Sequence, residues 1–245
     1  MKRPPTMSDS ISARVPSGQA SRYDAVKLST TSTTSATADA DAVARLKALH
    51  RELDACARCP NMIGPVVHGP PVKSAIFLIG QAPGAREGEM GRPFAWTAGK
   101  TLFRWFEQSL GVPEATFRER IYMAAVARCF PGKEKKGGDR KPDAEEIDRC
   151  RSFLEREIQI LRPKLLLPVG TMAIEQVFGG KRPLAEAVGR QERVRYHGVE
   201  SDVIALPHPS GASTWHVMEP GKTLLAKAFD LLREHPEIRR AFRPS

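Results

Sequence analysis

Four cysteines restrict the fold of this chain more than any other feature: Cys56-Ala57-Arg58-Cys59 forms one tight pair, and Cys129 and Cys150 follow far downstream. Four thiolates can converge on a tetrahedral zinc ion or on a [4Fe-4S] cluster, and either solution draws the loops that carry them together. A CxxC alone would equally serve a redox dithiol. A zinc ribbon normally closes with a second tight pair, whereas a long basic stretch separates Cys129 from Cys150, so the spacing fits a cluster better than zinc. A c-type haem attachment is excluded, because Pro60 follows Cys59 where that motif places a histidine.

The 245-residue chain is long enough to bury a substantial core. It has no secretory h-region and no apolar run of membrane length, which predicts a soluble protein of a reducing, cytoplasmic compartment in which thiols stay available as ligands. Its formal net charge of +10 points to a polyanionic partner. Nucleic acid is favoured over a membrane surface, since no basic amphipathic helix is evident. Residues 1–40 are rich in Ser, Thr and Ala and poor in large apolar side chains, so a disordered tail is expected there, followed by one folded domain over 41–245.

Within the domain, Val43, Leu46, Leu49 and Leu53 recur at helical spacing and predict an amphipathic helix running into the first cysteine pair. The run 75–79, ending at Gly80, reads as a buried strand feeding a loop, and 121–127, 165–169 and 203–206 read as three more. Helices are expected over about 98–110, 143–161 and 172–178 between them. Strands alternating with helices predict an α/β fold, a three-layer αβα sandwich with a central four-stranded, mostly parallel sheet. In such sheets ligands bind beyond the carboxyl ends of the strands.

The loops at those ends are distinctive. Gly80-Gln81-Ala82-Pro83-Gly84-Ala85-Arg86-Glu87 follows the first strand, with Gly91-Arg92-Pro93-Phe94 and Ala98-Gly99-Lys100 behind it. Arg128-Cys129-Phe130-Pro131 and a lysine-rich stretch follow the second, Glu146-Ile147 leads into Cys150, and His208-Pro209-Ser210-Gly211-Ala212-Ser213 follows the fourth. In this order the motifs resemble the uracil-DNA glycosylase superfamily, most closely its iron-sulfur members, the bacterial and archaeal family 4 and family 5 enzymes. The resemblance covers roughly Asp54 to Leu232 and implies that fold, a [4Fe-4S] cluster on Cys56, Cys59, Cys129 and Cys150, and DNA containing uracil or a deaminated base as the partner of a monomeric, monofunctional enzyme.

The resemblance also implies roles. His208 would stabilise the departing base and Phe94 would stack on it, while backbone around Gln81, Ala82 and Gly84 would approach base and sugar, with Ala125 on the pocket floor. Ser210 and Ser213 would contact phosphates, and Lys133, Lys135, Lys136, Arg140 and Lys141 would steer and hold the DNA backbone. Three positions depart from the families. Gln81 stands where family 4 usually has a glutamate, Thr97 stands near the usual aspartate of family 5, and Ala125 replaces the asparagine that reads uracil in family 4. Glu87 is then the nearest carboxylate able to organise water. Ala212 lies in the region of the usual leucine wedge, for which Trp215 is a substitute, and no histidine lies between Lys133 and Lys141 to form a covalent adduct. These departures leave room for a non-catalytic iron-sulfur module that binds damaged DNA. Zinc in place of the cluster stays open as well.

Overall fold

The computed structural model describes residues 27–135, 137–211 and 213–243, with the side chains of 27–36 left aside. The chain divides into Met1–Ala38 and Asp39–Ser245, and of the first unit only the helical backbone from Lys27 is described. The expected tail therefore lies, over residues 1–26, outside the described residues. Its remainder belongs to helix α1 (Lys27–Asp54), which begins well before the Asp41 that apolar spacing marks. Among the described side chains of α1, burial begins at Ala42, and that is the part periodicity can detect.

The elements continue β1 (Ile76–Gly80), α2 (Ala85–Met90), α3 (Thr97–Leu110), α4 (Glu114–Arg120), β2 (Tyr122–Ala125), α5 (Ala144–Leu161) and β3 (Leu165–Pro168). Then come α6 (Thr171–Phe178), α7 (Leu184–Ala187), β4 (Gln191–Tyr196), β5 (Val199–Ile204), α8 (Gly221–Glu234) and α9 (Pro236–Ala241). The sheet has five strands in the order β2-β1-β3-β5-β4, not the four expected. All neighbours are parallel except β4 and β5, which form an antiparallel hairpin.

The extra strand escapes the sequence because its alternate residues are polar and exposed: Gln191, Arg193 and Arg195 face solvent. Its turn is equally quiet. His197 and Gly198 both take left-handed backbone, φ 46° and 78°, as a two-residue type I′ turn requires, with histidine in the place usually filled by Asn or Asp.

Side-chain alternation makes the sandwich. Ile76 and Leu78 of β1, Met123 of β2, and Leu165 and Leu167 of β3 point to one face, where α3 and α8 cover them with Leu102, Phe103, Phe106, Ala228, Phe229 and Leu232. Phe77, Ile79, Tyr122 and Leu166 point to the other, against Leu46 of α1, Leu154 and Ile158 of α5, and Val177 of α6. Because successive strand residues face opposite ways, both faces must be apolar, and the strands read as continuous hydrophobic runs. Among the described residues no helix is long and apolar enough to cross a membrane.

One polar network crosses the second face. The Arg128 guanidinium and the Glu157 carboxylate are both fully buried and doubly paired, Nη1 to Oε1 at 3.0 Å and Nη2 to Oε2. Arg128 Nε also donates to the Ala125 carbonyl at 2.9 Å. The Tyr122 hydroxyl donates to Glu157 Oε1 at 2.8 Å and meets His50 Nε2 at 2.8 Å, so α1, β2, α5 and the loop after β2 share one set of bonds.

Removing one partner of such a pair strands the other as a buried charge. Glu157→Gln is expected to lower unfolding stability by about 3–5 kcal/mol in urea denaturation. Burial and the neighbouring His68 and Arg128 also hold the His50 imidazole down at about 4. The unfolded chain thus takes up this proton near pH 6.5 while the native state does not. Stability from this group is complete above about pH 6.5 and is lost as pH falls toward 4, a slope that a pH series of melts should show and that His50→Gln should flatten.

Candidate active site and cysteine centre

The strand order turns about β1, which lies between β2 and β3, and loops leaving the carboxyl ends of neighbouring strands part there to leave a crevice. A cavity of about 620 Å³ occupies that place. The loop after β1 supplies Gln81, Ala82, Gly84 and Glu87, the end of β2 supplies Ala125, and the loop after β5 supplies His208, Ser210 and Ser213, with Phe94 between α2 and α3. These nine residues, together with Lys133, Arg140 and Lys141 of the basic stretch, line this one space, whereas Lys135 and Trp215 do not. Trp96, Asp139 and Thr171 line it too.

Phe94 is held under constraint. Its φ of 52° is left-handed, unusual for a bulky side chain, so the surroundings must enforce it. Arg118 of α4 does so, donating from Nη1 to the Pro93 carbonyl at 2.9 Å and from Nη2 to the Phe94 carbonyl at 3.0 Å, while Glu114 accepts from its Nε at 2.7 Å. Gly99 makes the conformation sterically open: a Cβ there would lie 1.7 Å from the Phe94 carbonyl oxygen. The ring then rests on Gly80, where a Cβ would stand 3.0 Å from Cζ. A flat aromatic face is thereby fixed on the cavity floor.

His208 is similarly seated. Gly170, at φ 85°, lets the imidazole approach, since a Cβ would meet His208 Cδ2 at 3.1 Å. The Ser210 backbone N–H donates to Nδ1 at 3.3 Å, which assigns the proton of the neutral ring to Nε2. Burial pushes the pKa of His208 below its usual value, and the negative charge of Asp139 draws it partly back. The result is a neutral imidazole that offers one N–H donor.

Glu87 is occupied. Its Oε2 accepts from the Gly84 N–H at 2.6 Å and its Oε1 from the Ala95 N–H at 3.1 Å, which staples the loop after β1 to the Phe94 segment. Burial raises its pKa, against the pull of those backbone donors. Gln81 contributes a cavity-facing residue and a carbonyl that accepts from Ala127 N at 3.0 Å.

The lysine-rich stretch is a small hairpin. Lys133 pairs with Asp139 across an antiparallel bridge and through an ion pair of 2.5 Å, and Gly137 and Gly138 turn the chain at φ 87°. Arg140, expected to hold DNA, instead grips Glu146 with two bonds of 2.7 and 2.9 Å and donates to the Pro131 carbonyl at 2.7 Å. Glu146 also caps α5 with Asp143. Trp215, expected as a wedge, packs against the core, with Gly221 tight on its backbone and ring. Ala212 and Lys136 lie outside the described residues. Cavity residues missed by the sequence reading include Asp139, Trp96, Thr171 and Val67. The Gly-Gly turn before Asp139 is the signal that could have exposed the first, and Trp96, 45% exposed, carries no local mark.

The cysteines meet at the end of α1. Ile63 and Phe130 exchange backbone bonds of 2.7 and 3.0 Å and Val67 N donates to Arg128 O at 2.8 Å, so the segment after Cys59 is zipped to the segment bearing Cys129. Cys150 comes in on α5. None is in a disulfide. Burial, then the neighbouring Cys150, Cys59 and Cys56, push the Cys129 thiol up to about 11. Among the described residues no three His, Cys, Asp or Glu side chains close tightly enough to hold a single ion.

The profile of the uracil DNA glycosylase superfamily matches residues 66–233, more than half of the chain. The chain belongs to that superfamily. The sequence is 29% identical over 144 residues to a type-4 uracil-DNA glycosylase of Sulfurisphaera tokodaii, covering 57% of this chain and 61% of that protein. It is 28% identical over 172 residues to a type-4 uracil-DNA glycosylase of Pyrobaculum aerophilum, covering 67% of this chain and 83% of the relative. A type-5 uracil-DNA glycosylase of the same organism is 25% identical over 184 residues, covering 63% and 78%. The chain thus spans about three fifths of the first relative's length and about four fifths of the other two.

The shape of the cavity depends on Gly99. Gly99→Ala should force Phe94 out of its backbone conformation and lower the melting temperature by several degrees in a thermal melt.

Proposed function

We propose that the protein is a monofunctional DNA glycosylase that hydrolyses the N-glycosidic bond of uracil or a related deaminated base and leaves an abasic site. The observation that carries this reading is the neutral His208, with Nδ1 engaged and Nε2–H free to donate, in the same cavity as the fixed ring of Phe94. As the bond breaks, negative charge grows on the leaving base, and a preorganised neutral donor stabilises that charge without reorganising. Phe94 gives an extruded base a stacking face worth about 1–3 kcal/mol. Gln81, Ala82 and Gly84 let backbone approach the base and sugar, and Ser210 and Ser213 stand where phosphates of a flipped nucleotide would pass. Ala125 on the floor leaves the base edge without a bidentate amide, which favours a broad range of deaminated bases over strict uracil selection. The related proteins named as type-4 and type-5 uracil-DNA glycosylases support the reading.

Cys56, Cys59, Cys129 and Cys150 fit a [4Fe-4S] cluster. The donor set is four free thiols. Four thiol donors on three separate segments, with a long stretch between Cys129 and Cys150, suit a polynuclear iron-sulfur group better than the paired knuckles of a zinc ribbon. Such a group would cross-link α1, the loop after β2 and α5, a structural task in which metal affinity adds to folding free energy. The chain would act as a monomer on DNA, drawn by its charge of +10.

The decisive assay is base release from end-labelled oligonucleotides carrying uracil, hypoxanthine or xanthine, followed by alkaline cleavage of abasic sites. Release from one or more lesions is expected, and His208→Ala should reduce the single-turnover rate about 10²–10³-fold. Binding of damaged DNA without release would replace the glycosylase with a damage-binding module. Purified protein should be brown, with about four irons per chain, and Cys129→Ser should lose both iron and thermal stability. A colourless protein with one zinc would overturn the cluster.

A further inference from the structure

Hydrolysis needs an acceptor for a proton of the attacking water, and the amide of Gln81 and the hydroxyl of Thr97, which both line the cavity, are poor bases for it. Among the described residues, two acidic side chains line the cavity, Glu87 and Asp139. Glu87 has a backbone N–H on each oxygen and braces the loop. Asp139 is differently placed. Its Oδ1 takes the Lys133 ammonium, while its Oδ2 lies 3.3 Å from where a Cβ on Gly84 would stand and has no hydrogen-bond donor among the described residues. Its charge reaches His208 across the cavity. The hairpin that carries it is fixed by the bridge to Lys133 on one side and by the grip of Arg140 on Glu146 and Pro131 on the other.

We propose that Asp139 is the carboxylate that orients and deprotonates the hydrolytic water, an inference that rests on the glycosylase reading above. The bond between C1′ and the base nitrogen breaks and its electron pair leaves with the base, whose developing anion takes a hydrogen bond from His208 Nε2–H. Water oxygen bonds to C1′, one of its protons passes to Asp139 Oδ2, and the carboxyl later returns that proton to the departed base or to solvent. One water is consumed, and the products are the free base and an abasic sugar. The carboxylate also stabilises the positive charge that the sugar carries in the transition state. Lys133 engages Oδ1 at the solvent-facing rim of the cavity, where both side chains are exposed, and leaves Oδ2 to meet water.

The test uses the full-length protein, with uracil-containing duplex at saturating enzyme, so that single-turnover base release is read separately from DNA affinity. Asp139→Asn is expected to slow release about 10²-fold or more while affinity changes less than threefold and the melting temperature holds. In Asp139→Ala, added sodium formate should restore part of the rate, because a small carboxylate can occupy the vacated place. A purely structural role would not respond to formate. Release by Asp139→Asn within threefold of wild type would overturn the assignment and leave the glycosylase reading intact, as would a loss of rate that follows a loss of binding. Wild-type protein that releases no base from any substrate would overturn both.

Discussion

The bonded pair Arg128–Glu157 is the interaction on which the rest depends. Taking both charges out of water costs several kcal/mol each, and the cost is offset because every group in the cluster finds a partner. Glu157 accepts from Arg128 twice and from Tyr122, and Arg128 has a third acceptor in Ala125. The geometry permits little variation. Arg128 precedes Cys129, Glu157 lies two turns along α5 from Cys150, and His50 lies on the last turns of α1 before Cys56. The position of the cysteines is thus set by a salt bridge within the protein, and the carbonyl that steadies Arg128 belongs to the floor of the cavity. Core, cysteine centre and pocket are three readings of one set of bonds.

The cavity itself is shaped by absent side chains as much as by present ones. Gly80, Gly99 and Gly170 each make room for an aromatic or imidazole ring or its backbone: a methyl group at Gly99 would overlap the Phe94 carbonyl, and one at Gly80 or Gly170 would press on the Phe94 or His208 ring. Strain at Phe94 is maintained by Arg118, which contributes nothing to the cavity wall but holds two carbonyls. Such a site meets its ligand already formed, so interactions made there need not first pay for ordering side chains.

The central strands were legible because burial on both faces leaves an uninterrupted apolar run, as in Ile76–Ile79 and Leu165–Leu167. Strand β4 was not, since an edge strand with one wet face mixes charge with apolar residues and its His-Gly turn lacks the usual Asn or Asp. The site loops could be read from Gly, Pro and His patterns that no packing need explains. In the basic loop composition says less: Arg140 and Asp139 sit among lysines, and composition cannot tell a solvated cation from one bound twice to Glu146, or an acid on open surface from one at the rim of a cavity. Trp215 likewise carries no sign in sequence that its ring is packed inward. Cysteine spacing indicated a shared centre, and it took the backbone pairing of Ile63 with Phe130 to show how distant segments reach it.

The strand order has a temporal consequence. Gln81 leaves the ribosome early, but His208 follows β5, and the face of the sheet that supports both is covered only when α8 has been made. In synthesis from the N-terminus all four cysteines are made before the histidine, because Cys150 precedes His208 in the chain. An incomplete polypeptide can thus hold its four thiols while the cavity still lacks the loop after β5, so the two centres are completed in the order of translation.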